Sequence, residues 1–237
     1  MKKAKCIILT AVISTGIMAE KVNFTSAEGY VNGDLQRNAK WVGGKDSFAV
    51  DSSSGAVTYG SKSWDKSVYR TPLEAGKDSY NVGVAFRFDK GKSPASVASV
   101  MSAEFTTVES ATGGSRLTLH LSRYPNGTYR LHVYDSSAPP RLSAKSGVQE
   151  RLMFSSGGNT SDELWMQMTV TRGKTADTWD ISGVLSNLTT GAMLNSISVS
   201  GHKTAAYKGK FFGALNTLDA EAESFVSNRK VTCFEVQ

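Results

Sequence analysis

Apolar and polar residues alternate along much of this chain at the two-residue period of β-strands, and amphipathic helix patterns are absent. Tyr80, Val82, Val84, Phe86 and Phe88 fall on one side of the run 80–88. Comparable runs cover 47–51, 56–59, 97–108, 116–124, 128–134 and 164–172, then 178–188, 193–200, 210–218 and 226–236. Gly, Asn and Ser punctuate them. Short strands at this density predict an all-β protein, an antiparallel two-sheet β-sandwich rather than a parallel α/β sheet.

One turn fixes a register. In Tyr124-Pro125-Asn126-Gly127-Thr128, proline suits the first turn position and glycine the left-handed residue that closes a three-residue hairpin loop. That loop sets Tyr124 against Thr128, Leu121 against Leu131 and Leu119 against Val133. The other face then gathers Ser122 with Arg130, His120 with His132, Thr118 with Tyr134 and Arg116 with Ser136. A two-residue turn would mix the faces, which is costly when one of them is buried.

The N-terminus assigns a compartment. Lys2, Lys3 and Lys5 precede an uncharged apolar stretch from Cys6 to Met18, and Ala19 offers a cleavage position. This predicts a secretory signal peptide over residues 1–19, too short to span a bilayer comfortably. A secreted protein, extracellular or periplasmic, is expected, with one jelly-roll domain over 20–237. The full chain carries +6; without the three leader lysines, 24 basic residues face 21 acidic ones, leaving +3. Bulk charge therefore gives no support for a nucleic-acid partner. Cys233 is the one cysteine left after cleavage, so no intrachain disulfide is expected, and its alternating surroundings make it a packed thiol.

The longest stretch without strand pattern runs from Ser136 to Glu163 and reads as a lid or a mobile loop. No repeat, low-complexity tract or linker divides the domain.

The chain resembles the concanavalin A-like, laminin-G-like jelly-roll superfamily, in particular its small secreted bacterial members. The resemblance rests on Gly29-Tyr30-Val31-Asn32-Gly33-Asp34-Leu35 with Trp41, on the run 80–88, and on Trp179-Asp180-Ile181 through Leu188-Thr189-Thr190-Gly191. It is diffuse and covers the whole mature chain. It implies a jelly roll, and a choice among lectins, carbohydrate-binding modules, glycoside hydrolases and polysaccharide lyases that fold alone does not make.

Three sets of residues bear on that choice. Arg116, Thr118, His120, Ser122, Arg130, His132 and Tyr134 form a face of donors beside an aromatic ring. Arginine's charge-assisted bonds suit sugar hydroxyls and acidic sugars. Glu104-Phe105-Thr106-Thr107-Val108-Glu109 is similar in spacing to the E-x-D-x-x-E signature of retaining glucanases in the superfamily. Those need carboxyls about 5–5.5 Å apart, so a bulge would have to bring Glu104 and Glu109 together. Thr106 stands where that pattern has aspartate, which argues against hydrolysis. His120, His132, Tyr134 and Arg130 also supply the residue types of a β-eliminating lyase, without its motifs.

Trp64, flanked by Lys62, Ser63, Asp65 and Lys66, is the tryptophan best placed as an exposed stacking platform, whereas Trp165 and Trp179 read as core. Zinc, serine-nucleophile and phosphate motifs are missing, and no cofactor is expected. Calcium is common in the superfamily, yet Asp34, Asp51, Asp135 and Asp219 have no loop spacing that recommends them. The reading is glycan or polysaccharide binding, with Arg116, His120, Arg130, His132, Tyr134 and Trp64 as contacts. The rivals are a glycoside hydrolase or lyase, and a structural or adhesion domain that binds protein through an exposed apolar patch.

Overall fold

The computed structural model describes residues 19–59, 65–73, 76–88, 98–110, 112–124, 126, 128–137, 141–147, 162–203, 211–216 and 229–237. The predicted leader and Trp64 lie outside the described residues, apart from Ala19. The predicted sandwich is what forms: two antiparallel sheets packed face to face.

Among the described residues, the larger sheet has nine strands. Its members are β1 (Glu20–Val22), β2 (Gly33–Asp34), β4 (Phe48–Asp51), β5 (Ala56–Tyr59), β7 (Ser79–Phe88), β12 (Leu164–Arg172), β13 (Thr178–Asn187), β14 (Met193–Lys203) and β16 (Arg229–Val236). They run in the order β14-β13-β12-β7-β16-β5-β4-β2, with β1 also paired to β16. The smaller sheet holds β3 (Trp41–Val42), β6 (Lys66–Tyr69), β8 (Ala98–Thr106), β9 (Arg116–Arg123), β10 (Tyr129–Asp135), β11 (Leu142–Lys145) and β15 (Phe212–Asn216). Its order is β11-β10-β9-β8-β15-β6-β3.

Side chains at the two-residue period fill the space between the sheets. Val82, Val84, Phe86, Met166, Met168 and Ile181 come from the larger sheet. Ala103, Phe105, Leu117, Leu119, Leu131 and Val133 come from the smaller. Each of these twelve is at most 1% exposed, so the alternation read from the sequence is the burial pattern of the sandwich. Trp179 joins this core as predicted.

Two bulges break the alternation. In β8 the register shifts between Ser99 and Met101, so Val100 and Met101 both reach the core and Ser102, Glu104 and Thr106 turn to the outer face. In β16 it shifts between Val231 and Cys233. Val231 and Phe234 pack inward, while Cys233 packs with Ala85 and Trp165 on the outside of the larger sheet. Trp165 is therefore buried, but not in the sandwich core. Its ring covers Gly83, where a Cβ would stand 2.3 Å from Cζ2.

The stretch 136–163 is not wholly irregular, because β11 forms within it and lengthens the smaller sheet. Short strands β1, β2, β3 and β6 also escape the pattern, being two to four residues long. Among the described residues no helix is long and apolar enough to cross a membrane.

Candidate functional site

The hairpin of β9 and β10 pairs in the register that the three-residue loop demands. Leu131 opposes Leu121, Val133 opposes Leu119 and His132 opposes His120. Tyr124 N donates to Thr128 O at 2.9 Å, and Ser136 N to Arg116 O at 3.0 Å. Asn126 Oδ1 accepts from Thr128 N and Oγ1, which holds the turn. Pro125 and Gly127 lie outside the described residues.

Because the leucines and valines face the core, the polar set faces outward, and the neighbouring strands extend it. Lys145 opposes His132, His132 opposes His120, and His120 opposes Ser102. Ser102 Oγ reaches Asn216 O at 3.4 Å, and Asn216 opposes Lys66. One row of polar side chains thus crosses the sheet from β11 to β6.

Exposure falls along that row from Lys145 to Ser102 and stays low beyond it. Lys145 is exposed and His132 half-buried. His120 is 7% exposed, Lys66 5%, Asn216 1% and Ser102 0%. An ordinary sheet exterior is polar because water solvates it. These groups are mostly out of water, so each must find a partner or carry a cost.

The next row holds Tyr134, Thr118 and Glu104. Glu104 is fully buried. Its Oε2 accepts from Asn216 Nδ2 at 3.0 Å and from Thr118 Oγ1 at 3.2 Å. Lys66 Nζ donates to Thr106 Oγ1 at 3.0 Å and to Gly113 O at 3.2 Å. Glu104 Oε1 and both ring nitrogens of His120 have no hydrogen-bond partner among the described residues.

Burial pushes the Glu104 carboxyl above its ordinary range, against the pull of Lys66, Arg116 and its two hydrogen bonds. Burial also lowers the His120 imidazole to about 3, assisted by the charges of His132 and Arg116. It lowers Lys66 as well. His132 is shifted down by burial, then by Lys145 and Arg130. At neutral pH His120 is therefore a neutral imidazole, and in the row beside it burial favours the uncharged form of the Glu104 carboxyl.

Three rings close the outer part. His120 and His132 have centroids 5.4 Å apart, and Tyr134 stands 6.3 Å from each. His132 Nε2 meets Ser143 Oγ at 2.9 Å. The guanidinium of half-buried Arg130 lies over the Tyr124 ring at 5.2 Å, a cation–π contact. Arg116 sits half-buried at the end of the same face, beside Thr106.

Of the sequence-predicted contacts, Arg116, His120, Arg130, His132 and Tyr134 share this face, and Trp64 is outside the described residues. Glu104 belongs to the face as well, but Glu109 does not join it. The β8 register runs unbroken from Met101 to Thr106, and Glu109 is exposed beyond the strand end, 3.5 Å from Arg70 Nε. The carboxylate pair of a retaining glucanase is not assembled. Sequence reasoning also missed Lys66, Ser102 and Asn216. Lys66 read as an exposed flank of Trp64, whereas strand β6 carries it into the sheet.

No protein-family model matches the chain, and no curated protein matches it in sequence. Solved structures do match in fold. The basic winged bean lectin, crystallised with Tn-antigen, has a TM-score of 0.57 at 8% identity, covering 93% of this chain and 98% of that one. Arcelin-5, a lectin-like defense protein from Phaseolus vulgaris, gives 0.57 at 11%, covering 92% and 96%. The exoplasmic/lumenal domain of VIP36 in its Ca2+/Man-bound form gives 0.52 at 13%, covering 92% and 88%. The fold is the concanavalin A-like jelly roll.

Within this jelly roll the described residues do not fit a calcium site. No three His, Cys, Asp or Glu side chains gather among them. Asp34 caps the 3-10 turn at Gln36 and holds Asp46 N, Asp51 accepts from Ser53 and Ser54, and Asp135 is taken by Ser137 and His202. Calcium takes six to eight oxygens, several of them usually carboxylate. Asp219 lies outside the described residues.

Proposed function

We propose that this chain is an exported, lectin-like protein that binds an acidic glycan on the outer face of its smaller sheet. The observation that carries the reading is the packing of His120, His132 and Tyr134 within 6.3 Å of one another, flanked by Arg130 over Tyr124. Aromatic faces cover the C–H side of a sugar ring, and the imidazole and phenol groups meet its hydroxyls. The cations on this face, Arg116, Arg130, Lys145 and Lys66, outnumber its one described carboxyl, Glu104. That balance favours a ligand bearing carboxylate or sulfate.

The concanavalin A-like fold supports glycan binding by analogy, since the winged bean and VIP36 structures hold sugar ligands. Export rests on the leader sequence, Lys2, Lys3 and Lys5 before the apolar stretch to Met18. An adhesive surface has less support, because the exposed large apolar side chains among the described residues are Val31 and Met193.

The test is a glycan array spanning neutral, uronate and sulfated polymers, followed by size analysis of each hit after incubation. Binding to an acidic polymer of unchanged length, weakened tenfold or more by Arg130→Ala, is the expected result. Shortening of the polymer would replace binding by catalysis, and silence across the array would overturn the reading.

A further inference from the structure

Among the described residues, His132 is surrounded on its face by cations and neutral groups and by no carboxylate. On β10 it stands between Arg130 and Tyr134, and on β11 it meets Lys145 and Ser143. On β9 it faces His120, with Thr118 and Ser122 diagonal to it and Arg116 at the far end. Glu104 lies one strand further on, behind β9. Asp135 turns to the other face, where His202 and Ser137 take it. Neither Lys145 nor Arg130 forms an ion pair among the described residues.

This corner is also the accessible part of the face. Lys145 and Ser143 are exposed and His132 is half-buried. The 2.9 Å contact of His132 Nε2 with Ser143 Oγ lies at the surface. A hydroxyl both donates and accepts, so that contact survives whether the ring is neutral or protonated. Opposed residues on paired strands hold their Cβ atoms about 4.5–5.5 Å apart. His132 and Lys145 are therefore close enough to share one anion, with Arg130 adding positive potential beside them.

Burial, then Lys145 and Arg130, hold the His132 imidazole below its ordinary value, so at pH 8 it is neutral. An anion seated against Lys145 cancels that repulsion and favours the imidazolium. Proton and anion then assist each other reciprocally. Building on the acidic-glycan reading, we propose that His132 and Lys145 hold the ligand's acidic group and that His132 takes up a proton as the ligand binds. Affinity for an acidic polymer then rises as pH falls, and the protein grips its ligand in mildly acidic surroundings and loosens in alkaline ones. Of the three histidines in the chain, His120 stays neutral down to about 3 and His202 has a carboxylate partner in Asp135.

The probes are polygalacturonate and dextran sulfate, measured by calorimetry at pH 5.5 and pH 8 and at constant ionic strength. Sulfate keeps its charge at both values, which separates titration of the protein from titration of the ligand. On each polymer it binds, the wild type is expected to bind roughly threefold or more tighter at pH 5.5. Heats compared in two buffers of different ionisation enthalpy should show net proton uptake near pH 6, a readout that needs no variant. His132→Gln keeps a donor and an acceptor but cannot take the proton, so its affinity should be the same at both pH values and its uptake absent. Equal wild-type affinity at the two pH values, or no proton uptake, overturns the link and leaves the acidic-glycan reading standing. A pH response that persists in folded His132→Gln overturns it too. Binding of neither polymer at either pH overturns the proposal, and with silence across the array it removes the acidic-glycan reading as well.

Discussion

His202 Nε2 lies 2.7 Å from Asp135 Oδ2, and this contact ties β14 at the edge of the larger sheet to β10 of the smaller one. Asp135 is fully buried and His202 nearly so. The other Asp135 oxygen accepts from Ser137 N at 2.7 Å and Ser137 Oγ at 2.6 Å. A carboxylate with three donors is well satisfied, so the pair clips the two sheets together beside the site-bearing hairpin.

Removing one partner of such a pair strands the other. Asp135→Asn is expected to destabilise by roughly 3–5 kcal/mol, read as a fall in Tm of about 2–4 °C per kcal/mol. Burial alone would raise the Asp135 carboxyl, but the bonds from His202 and Ser137 outweigh it and hold it below its ordinary range. Its contribution is therefore complete above the unfolded value, about 3.9, and is lost as pH falls through the lower folded value. The stability gap between wild type and variant should narrow below about pH 4. A gap that stays constant with pH would count against the clip.

Glu104 titrates in the opposite sense. Its folded pKa is raised, chiefly by burial, so its stabilisation is complete below about 4.3 and declines as pH rises through the folded value. Glu104→Gln should melt higher than the wild type at pH 8 and show no such advantage at pH 4. Thermal melts across that range decide it, and a lower Tm for the glutamine variant at pH 8 would contradict the assignment.

His120 sets the acid limb. An unfolded imidazole takes up its proton near 6.5, while the folded one resists until about 3, so stability is complete above about 6.5 and falls between those values. His120→Asn should flatten the stability profile in that window. Proton NMR of the ring should show His120 still neutral at pH 5.

On the outside of the larger sheet, Trp165 lies on Gly83 with no room for a methyl group. Gly83→Ala should cost roughly 1–3 kcal/mol by overpacking. Combining it with Trp165→Leu should cost less than the sum of the two changes, because the clash is then gone. Additive losses in denaturant titrations would show that the ring does not hold that position.

Cys233 packs between Ala85 and Trp165 at 0% exposure. A thiol reagent such as Ellman's should leave the native protein unlabelled and modify it at the rate of global unfolding. Fast labelling in buffer would mean that this outer cluster opens locally.

Much of the sandwich was legible in the chain. The run 80–88 alternates because one of its faces meets the smaller sheet across a dry core, and burial leaves that mark in every long strand. The Pro125-Asn126-Gly127 turn placed His120 beside His132 before any tertiary contact was known, since loop length fixes register locally. The shortest strands, β2 and β3, escaped because two residues carry no period. The Cys233 bulge escaped because two paired strands define it, so the alternation in 226–236 looks unbroken from the sequence.

The sequence by itself determined the fold class, the hairpin and which side chains share its polar face. Only the tertiary structure decided that this face is largely buried, that Glu104 turns toward His120 and away from Glu109, and that Lys66 and Asn216 complete the row. Alternation reports which residues leave the core, but not what then surrounds them. Proton affinity and unmet hydrogen bonds depend on that surrounding, which is assembled from strands far apart in the chain.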